Sequence, residues 1–86
     1  LSDKIINDIE RGLIIGATFF SKRTVNLFFN QVKSIPDGFI AFCISNEVSS
    51  EIITLYNKSS LSIKIADEPS LTEMFKLVVA AAEFAA

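Results

Sequence analysis

The stretch that decides the fold is residues 13–45, LIIGATFFSKRTVNLFFNQVKSIPDGFIAFCIS. It begins with a continuous apolar run at residues 13–20 and ends with a second one at residues 39–45. Each run is too short for a buried helix and is typical of a central strand buried on both faces. Between the runs, apolar side chains recur with the i, i+3, i+4, i+7 spacing of an amphipathic helix: Val25, Phe28, Phe29 and Val32. This order predicts a βαβ unit with parallel strands and a right-handed crossover.

The segments on either side extend the same alternation. A short helix is expected before the first strand, and Asn46 or Ser49 is a suitable cap for a helix after the second. Residues 61–65, LSIKI, alternate between apolar and polar and predict a half-exposed strand at a sheet edge, which Lys64 partly protects from further pairing. Residues 70–73, SLTE, form a capping box directly before an apolar helix.

The predicted element order is therefore α-β-α-β-α-β-α. Strands that alternate with helices favour a small three-layer α/β/α sandwich built on a short, mainly parallel three-stranded sheet. We expect residues 1–86 to form a single α/β domain. The alternative is that the chain is a fragment or one subunit of a larger assembly.

Composition excludes several classes of protein. Of the 86 residues, 50% are hydrophobic and 21% are charged, and the formal net charge is −2. A disordered chain needs lower hydrophobicity and higher net charge. A general nucleic-acid clamp needs a surplus of clustered Lys and Arg, so nucleic acid is a disfavoured partner. No apolar run approaches the about 20 residues of a membrane-spanning helix, so we expect no membrane association.

The reactive residue types are scarce. The chain has no histidine and a single cysteine, Cys43. This composition excludes Ser-His and Cys-His nucleophile pairs, internal disulfides and cysteine-rich zinc sites. We therefore expect no metal and no cofactor, and catalysis stays open but disfavoured. Cys43 lies within an apolar run and is interpreted as a core residue, and one free thiol is compatible with a cytoplasmic location.

One candidate ligand site lies where predicted strands lead into helices. Ser21, Lys22, Arg23 and Thr24 cluster at a predicted helix start, where free N–H groups and the helix dipole favour an anion. Ser45 and Asn46 follow the second strand and are expected at the same end of a parallel sheet. Residues 16–24 could thus serve a ligand, anion or RNA-binding domain. An ordinary helix cap with solvated side chains explains the same residues.

The apolar surplus favours a different function. Three strands cannot easily cover four helices with wide apolar faces in so small a domain. The last helix carries these residues on one apolar face: Leu71, Met74, Phe75, Val78 and Ala82. Flanking residues predicted to contact another chain are Leu77, Val79 and Phe84. The leading hypothesis is a non-catalytic protein–protein interaction domain or assembly subunit, with a protein partner or self-association into a homo-oligomer.

Overall fold

The computed structural model describes the backbone of residues 1–56 and 61–85. It describes the side chains of residues 1–56 and 61–82. The turn predicted at residues 57–60 therefore lies outside the described residues. The elements along the chain are α1 (Asp3–Glu10), β1 (Gly16–Phe19), α2 (Lys22–Gln31), β2 (Ile40–Cys43), α3 (Asn46–Leu55), β3 (Ser62–Ile65) and α4 (Leu71–Ala85). This order and the parallel three-stranded sheet confirm the predicted fold.

The three strands lie side by side in the order β1-β2-β3, and both pairs are parallel. Phe19 lies beside Cys43, which lies beside Ile65. Because each connection moves one strand along in the same direction, right-handed crossovers place α2 and α3 on one face of the sheet. These two helices contact each other there, while α4 packs on β2 and β3 from the other face.

The position of β1 differs from the prediction of a central strand buried on both faces. β1 is an edge strand, and its Thr18 is exposed. The central strand is β2, in which Ala41, Phe42 and Cys43 are buried. The burial predicted from the apolar run at residues 13–20 is correct on the face of the sheet that carries Phe19, which is 1% exposed. It is wrong on the opposite face, because α4 packs on β2 and β3 and does not extend over β1. The edge position predicted for β3 is confirmed.

Hydrogen bonds from backbone N–H groups to side-chain oxygens fix the ends of the helices. At four helix starts, a serine Oγ accepts a hydrogen bond from the backbone N–H of the residue three positions later. These serines are Ser2, Ser21, Ser45 and Ser70. The cap of α3 is thus Ser45, directly before the predicted Asn46. At the end of α1, Glu10 Oε2 accepts the N–H groups of Lys33 at 3.1 Å and Ser34 at 3.3 Å. This carboxylate ties α1 to the loop that follows α2.

The hydrophobic core is divided between the two faces of the sheet. The larger cluster lies on the α2–α3 side and is built from these buried side chains: Ile9, Phe19, Val25, Phe28, Val32, Ile35, Phe39, Ala41, Cys43, Val48 and Ile52. The rings of Phe19 and Phe28 meet edge to face with centroids 5.1 Å apart, a favourable aromatic geometry. On the α4 side, the buried cluster consists of Phe42, Ala66 and Met74. The two faces are therefore unequally covered.

Candidate interaction surface and predicted anion site

An apolar groove lies on the α4 face of the sheet, between β1 and α4. The groove has two adjoining hollows of about 380 and 340 Å³, which share Thr18 and Val78 as lining residues. This surface, the β1–α4 groove, is formed by Gly16, Thr18, Phe20, Leu71, Phe75 and Val78. It exists because α4 packs on β2 and β3, and no other helix of the described residues covers this face of β1.

The rim of the groove carries large exposed apolar side chains. Leu71 is 72% exposed and Phe75 is 69% exposed, while Ile15 and Phe20 on the strand side are 64% and 45% exposed. Single exposed apolar residues are common on soluble proteins. A group of four around one groove is a contiguous patch, and such patches mark interaction sites.

The floor of the groove depends on Gly16. A Cβ atom at this position would lie 2.9 Å from the carbonyl oxygen of Ile40 and 3.1 Å from the Phe42 ring. Real Cβ atoms are almost never that close to a neighbouring carbonyl oxygen, so only glycine allows β1 and β2 to pair here beneath the Phe42 ring. Gly16 is therefore a packing requirement of the sheet and leaves an open space above the strand.

The orientation of α4 divides its predicted apolar face. Met74 is 2% exposed, and Leu77, Val78 and Ala81 pack around its cluster. Leu71 and Phe75 were predicted to share one apolar face with Met74, and both are exposed. At about 100° per residue, these two side chains lie on a stripe beside the packed one. The helix is rotated so that the packed stripe meets β2 and β3, while the second stripe faces β1.

The residues predicted to contact another chain have different positions. Leu77 and Val79 are half-buried, and Leu77 packs against the Met74 cluster. The side chain of Phe84 lies outside the described residues. Sequence reasoning missed Leu71 and Phe75 as exposed candidates. Their i, i+4 spacing, continued by Val78 and Ala82, was a visible signal, but only the flanking residues were predicted to contact another chain.

The predicted anion site is organised as a helix cap. Ser21 Oγ accepts the Thr24 N–H at 3.1 Å and lies 2.9 Å from Thr24 Oγ1. Lys22 and Arg23 are exposed, and neither forms a salt bridge with any described residue. The Lys22 and Arg23 side chains are therefore accessible to an anion. The helix cap by itself accounts for the presence of Ser21 and Thr24 at the start of α2.

The second predicted turn lies at the same end of the sheet, as expected from parallel strands. Phe19 pairs with Cys43, and the Ile44 N–H donates to the Phe19 carbonyl at 3.1 Å, so the two strands end side by side. Ser45 Oγ accepts the Val48 N–H at 3.4 Å, and Asn46 is exposed. None of the six predicted ligand residues lines the β1–α4 groove. The anion candidate and the groove are therefore separate surfaces.

Comparison with family models, curated proteins and solved structures finds no match to this chain. Function is therefore inferred from the chemistry of its surfaces. Over the described ranges, no group of three or more His, Cys, Asp and Glu side chains is placed to hold a metal ion. The same part of the chain contains no helix that is both long and apolar enough to cross a membrane.

Cys43 is a core residue, as its place in an apolar run predicted. It belongs to the larger cluster and is 0% exposed. Desolvation by burial raises the pKa of its thiol from 9.0 to about 11. A thiolate is the nucleophilic form of cysteine, so this shift keeps the side chain in its unreactive form.

Proposed function

We propose that this chain is a non-catalytic protein–protein interaction domain or assembly subunit that associates through the β1–α4 groove. The observation that carries the proposal is the exposure of Leu71 and Phe75, 72% and 69%, beside an apolar groove. The apolar C-terminal helix α4 thus presents one stripe to the sheet and a second stripe to a partner. A protein partner or a second copy of the chain fits this surface.

The large size of these side chains determines how much free energy an interface at the groove would gain. Transferring one large apolar side chain from water to an interface contributes about 1.5–3 kcal/mol. Aromatic residues in pockets are common centres of binding energy, and Phe20 and Phe75 face the same hollow. About 1.4 kcal/mol corresponds to a tenfold change in affinity. The burial of several such side chains therefore contributes more free energy than a weak association requires.

Sedimentation velocity over a range of protein concentrations tests this function. We expect concentration-dependent association of the wild-type chain, because the groove is apolar and open. Leu71→Glu and Phe75→Glu should each shift the distribution towards monomer, since a buried carboxylate at an apolar contact is costly. Ile53→Glu is the matched control, because Ile53 is 50% exposed on α3, away from the groove.

The contradictory result is equally clear. A chain that stays monomeric up to millimolar concentration, with both α4 variants indistinguishable from wild type, would contradict self-association through the groove. Loss of association in Ile53→Glu and not in Phe75→Glu would assign the contact to a different surface.

The alternative is a ligand, anion or RNA-binding domain that uses residues 16–24. It is supported by the exposed Lys22 and Arg23 at the start of α2 and by Ser45 and Asn46 at the same end of the sheet. Its test is whether inorganic phosphate raises the Tm of the wild-type chain and not that of the chain with Lys22→Glu and Arg23→Glu. A cytoplasmic location is also proposed, supported by the single, buried free thiol of Cys43.

A further inference from the structure

The turn between α2 and β2 contains an aspartate followed by a glycine. Residues 36–39 are Pro-Asp-Gly-Phe, and the Phe39 N–H donates to the Pro36 carbonyl at 3.3 Å. Gly38 has φ +88°, the left-handed region that the third position of a type II turn requires. Asp37 and Gly38 are therefore the two central residues of a β-turn.

These two central residues are open to solvent. Asp37 and Gly38 are both exposed, whereas the next residue, Phe39, is 3% exposed. A Cβ atom built on Gly38 would meet no atom within 4 Å apart from its chain neighbours. No described side chain therefore shields this side of Gly38.

Neither the Asp37 side chain nor the Gly38 amide is held by a contact. Among the described residues, the Gly38 N–H has no hydrogen-bond acceptor. Over the same part of the chain, the Asp37 carboxylate forms no salt bridge. The carboxyl group and the backbone nitrogen can therefore approach each other without breaking a bond of their own.

These two groups can react to form a five-membered ring. A bond forms between the Gly38 nitrogen and Asp37 Cγ, and the bond from Cγ to one carboxyl oxygen breaks. That oxygen leaves as water with the amide proton and the carboxyl proton, and a succinimide remains. Water then adds back to the ring. Hydrolysis at Cγ restores aspartate, whereas hydrolysis at the former main-chain carbonyl yields isoaspartate.

The glycine favours ring closure for two reasons. It has no Cβ to hinder the approach of its nitrogen to Asp37 Cγ. It also accepts φ values of either sign, so the peptide plane between Asp37 and Gly38 can rotate as the ring forms. A residue with a side chain would resist both changes.

We propose that Asp37 is a site of spontaneous modification in the folded chain, where it isomerises to isoaspartate through a succinimide formed with Gly38. The reaction consumes no reagent, since the water released in the first step is taken up in the second. The site is separate from the β1–α4 groove, because none of residues 36–39 lines that surface.

The other aspartates of the chain lack this combination of features. Asp3 and Asp8 lie in α1, and Asp8 also pairs with Lys4 at 2.9 Å. Asp67 lies in the loop after β3, but a glutamate follows it. Asp8 and Asp67 therefore serve as internal references for the reactivity of Asp37.

The product would change the connection into the central strand. Isoaspartate carries the main chain through Cβ and Cγ and so lengthens it by one methylene group. The added length lies directly before Phe39, a member of the larger core cluster, and Ile40, whose N–H donates to the Ile15 carbonyl at 2.9 Å. The modification therefore acts at the point where β2 enters the sheet.

Ageing of the folded protein tests this site. The wild-type chain is incubated at neutral pH and physiological temperature and is then cleaved after its lysines. The peptide that spans residues 34–58 contains Asp37 as its single aspartate, and fragmentation by electron transfer locates isoaspartate within it. We expect isoaspartate to accumulate at residue 37 and not at Asp8 or Asp67. Methylation by an isoaspartyl methyltransferase measures the total amount in the same samples.

Two substitutions at the same position control the chemistry. Asp37→Glu keeps the charge but would need a six-membered ring, so isomerisation at residue 37 should be lost. Asp37→Asn forms the same succinimide with ammonia as the leaving group, so isoaspartate should appear faster than in wild type.

A parallel sample in urea distinguishes the folded turn from the unfolded chain. Isoaspartate at residue 37 in urea but not in the native protein would show that the folded turn protects this bond, and would overturn the proposal. Native protein with as much isoaspartate at Asp67 as at residue 37 would overturn it as well.

Discussion

The two faces of the sheet differ in how completely helices cover them. On one face α2 and α3 lie together, and their aromatic and aliphatic side chains form a continuous cluster around Phe19 and Phe28. On the other, α4 covers β2 and β3 and buries Met74 against Phe42 and Ala66. The same strand, β1, thus has one face that stabilises the fold and one that remains open. The closed face therefore stabilises the fold, and the open face is the surface that we propose for association.

The largest expected effect is the difference in the free energy of unfolding between matched Phe→Ala substitutions on the two faces. Phe19→Ala removes a ring that is 1% exposed and should lower the free energy of unfolding by about 3–5 kcal/mol. Phe75→Ala removes a ring that is 69% exposed and should change it by less than about 0.5 kcal/mol in the monomer. Urea denaturation of dilute protein measures both values. Similar losses for the two variants would contradict the assignment of Phe75 to an open face.

The sequence predicted the closed face better than the open one. The helical spacing of Val25 and Phe28 and the apolar run at residues 39–45 both identify elements of the larger cluster. A buried strand and an edge strand with an apolar open face have the same sequence character. Residues 13–20 therefore predicted two-sided burial, although nothing described covers the Thr18 side.

The sequence also does not predict the orientation of α4, and the reason is physical. From Leu77 through Val79 the apolar arc of this helix spans about 200° at about 100° per residue. A sheet contacts only part of so wide an arc, and periodicity does not decide which part. The structure packs the Met74 side and exposes Leu71 and Phe75. The capping serines, in contrast, depend on local contacts, and Ser21 and Ser70 were predicted correctly.

A second prediction uses the thiol on the closed face. Burial raises the pKa of Cys43 from 9.0 to about 11, so folding favours the neutral thiol. The corresponding stability is fully present below pH 9 and is lost as pH rises towards 11, by about 2–3 kcal/mol at most. Replacing Cys43 by Ala should remove this alkaline loss, as measured by urea denaturation between pH 8 and pH 11.

The reactivity of thiols gives the control for that prediction. At pH 8 a disulfide reagent should label native wild-type protein only as slowly as the chain unfolds, since Cys43 is 0% exposed. Thr18→Cys places a thiol on the open face, where labelling should be fast. Rapid labelling of Cys43 in the native wild-type chain would show that the closed face opens readily, and the contrast between the faces would fail.

The smallest effect concerns the helix that starts at the predicted anion site. Lys22 and Arg23 place positive charges at the N-terminus of α2, where they oppose the helix dipole. Replacing both with Glu should raise the free energy of unfolding by about 0.3–1 kcal/mol per residue at low salt. Lys33→Glu, just beyond the other end of α2, is the matched control and should lower the free energy of unfolding slightly.

The effect of inorganic phosphate on the Tm tests whether this end of the sheet also binds an anion. If association through the open face is the function, phosphate leaves the wild-type Tm unchanged, because the cap already satisfies the Thr24 N–H. A salt-sensitive rise in Tm that Lys22→Glu with Arg23→Glu abolishes would place a binding site on a helix of the closed face. In that case stability and binding would no longer be divided between the two faces.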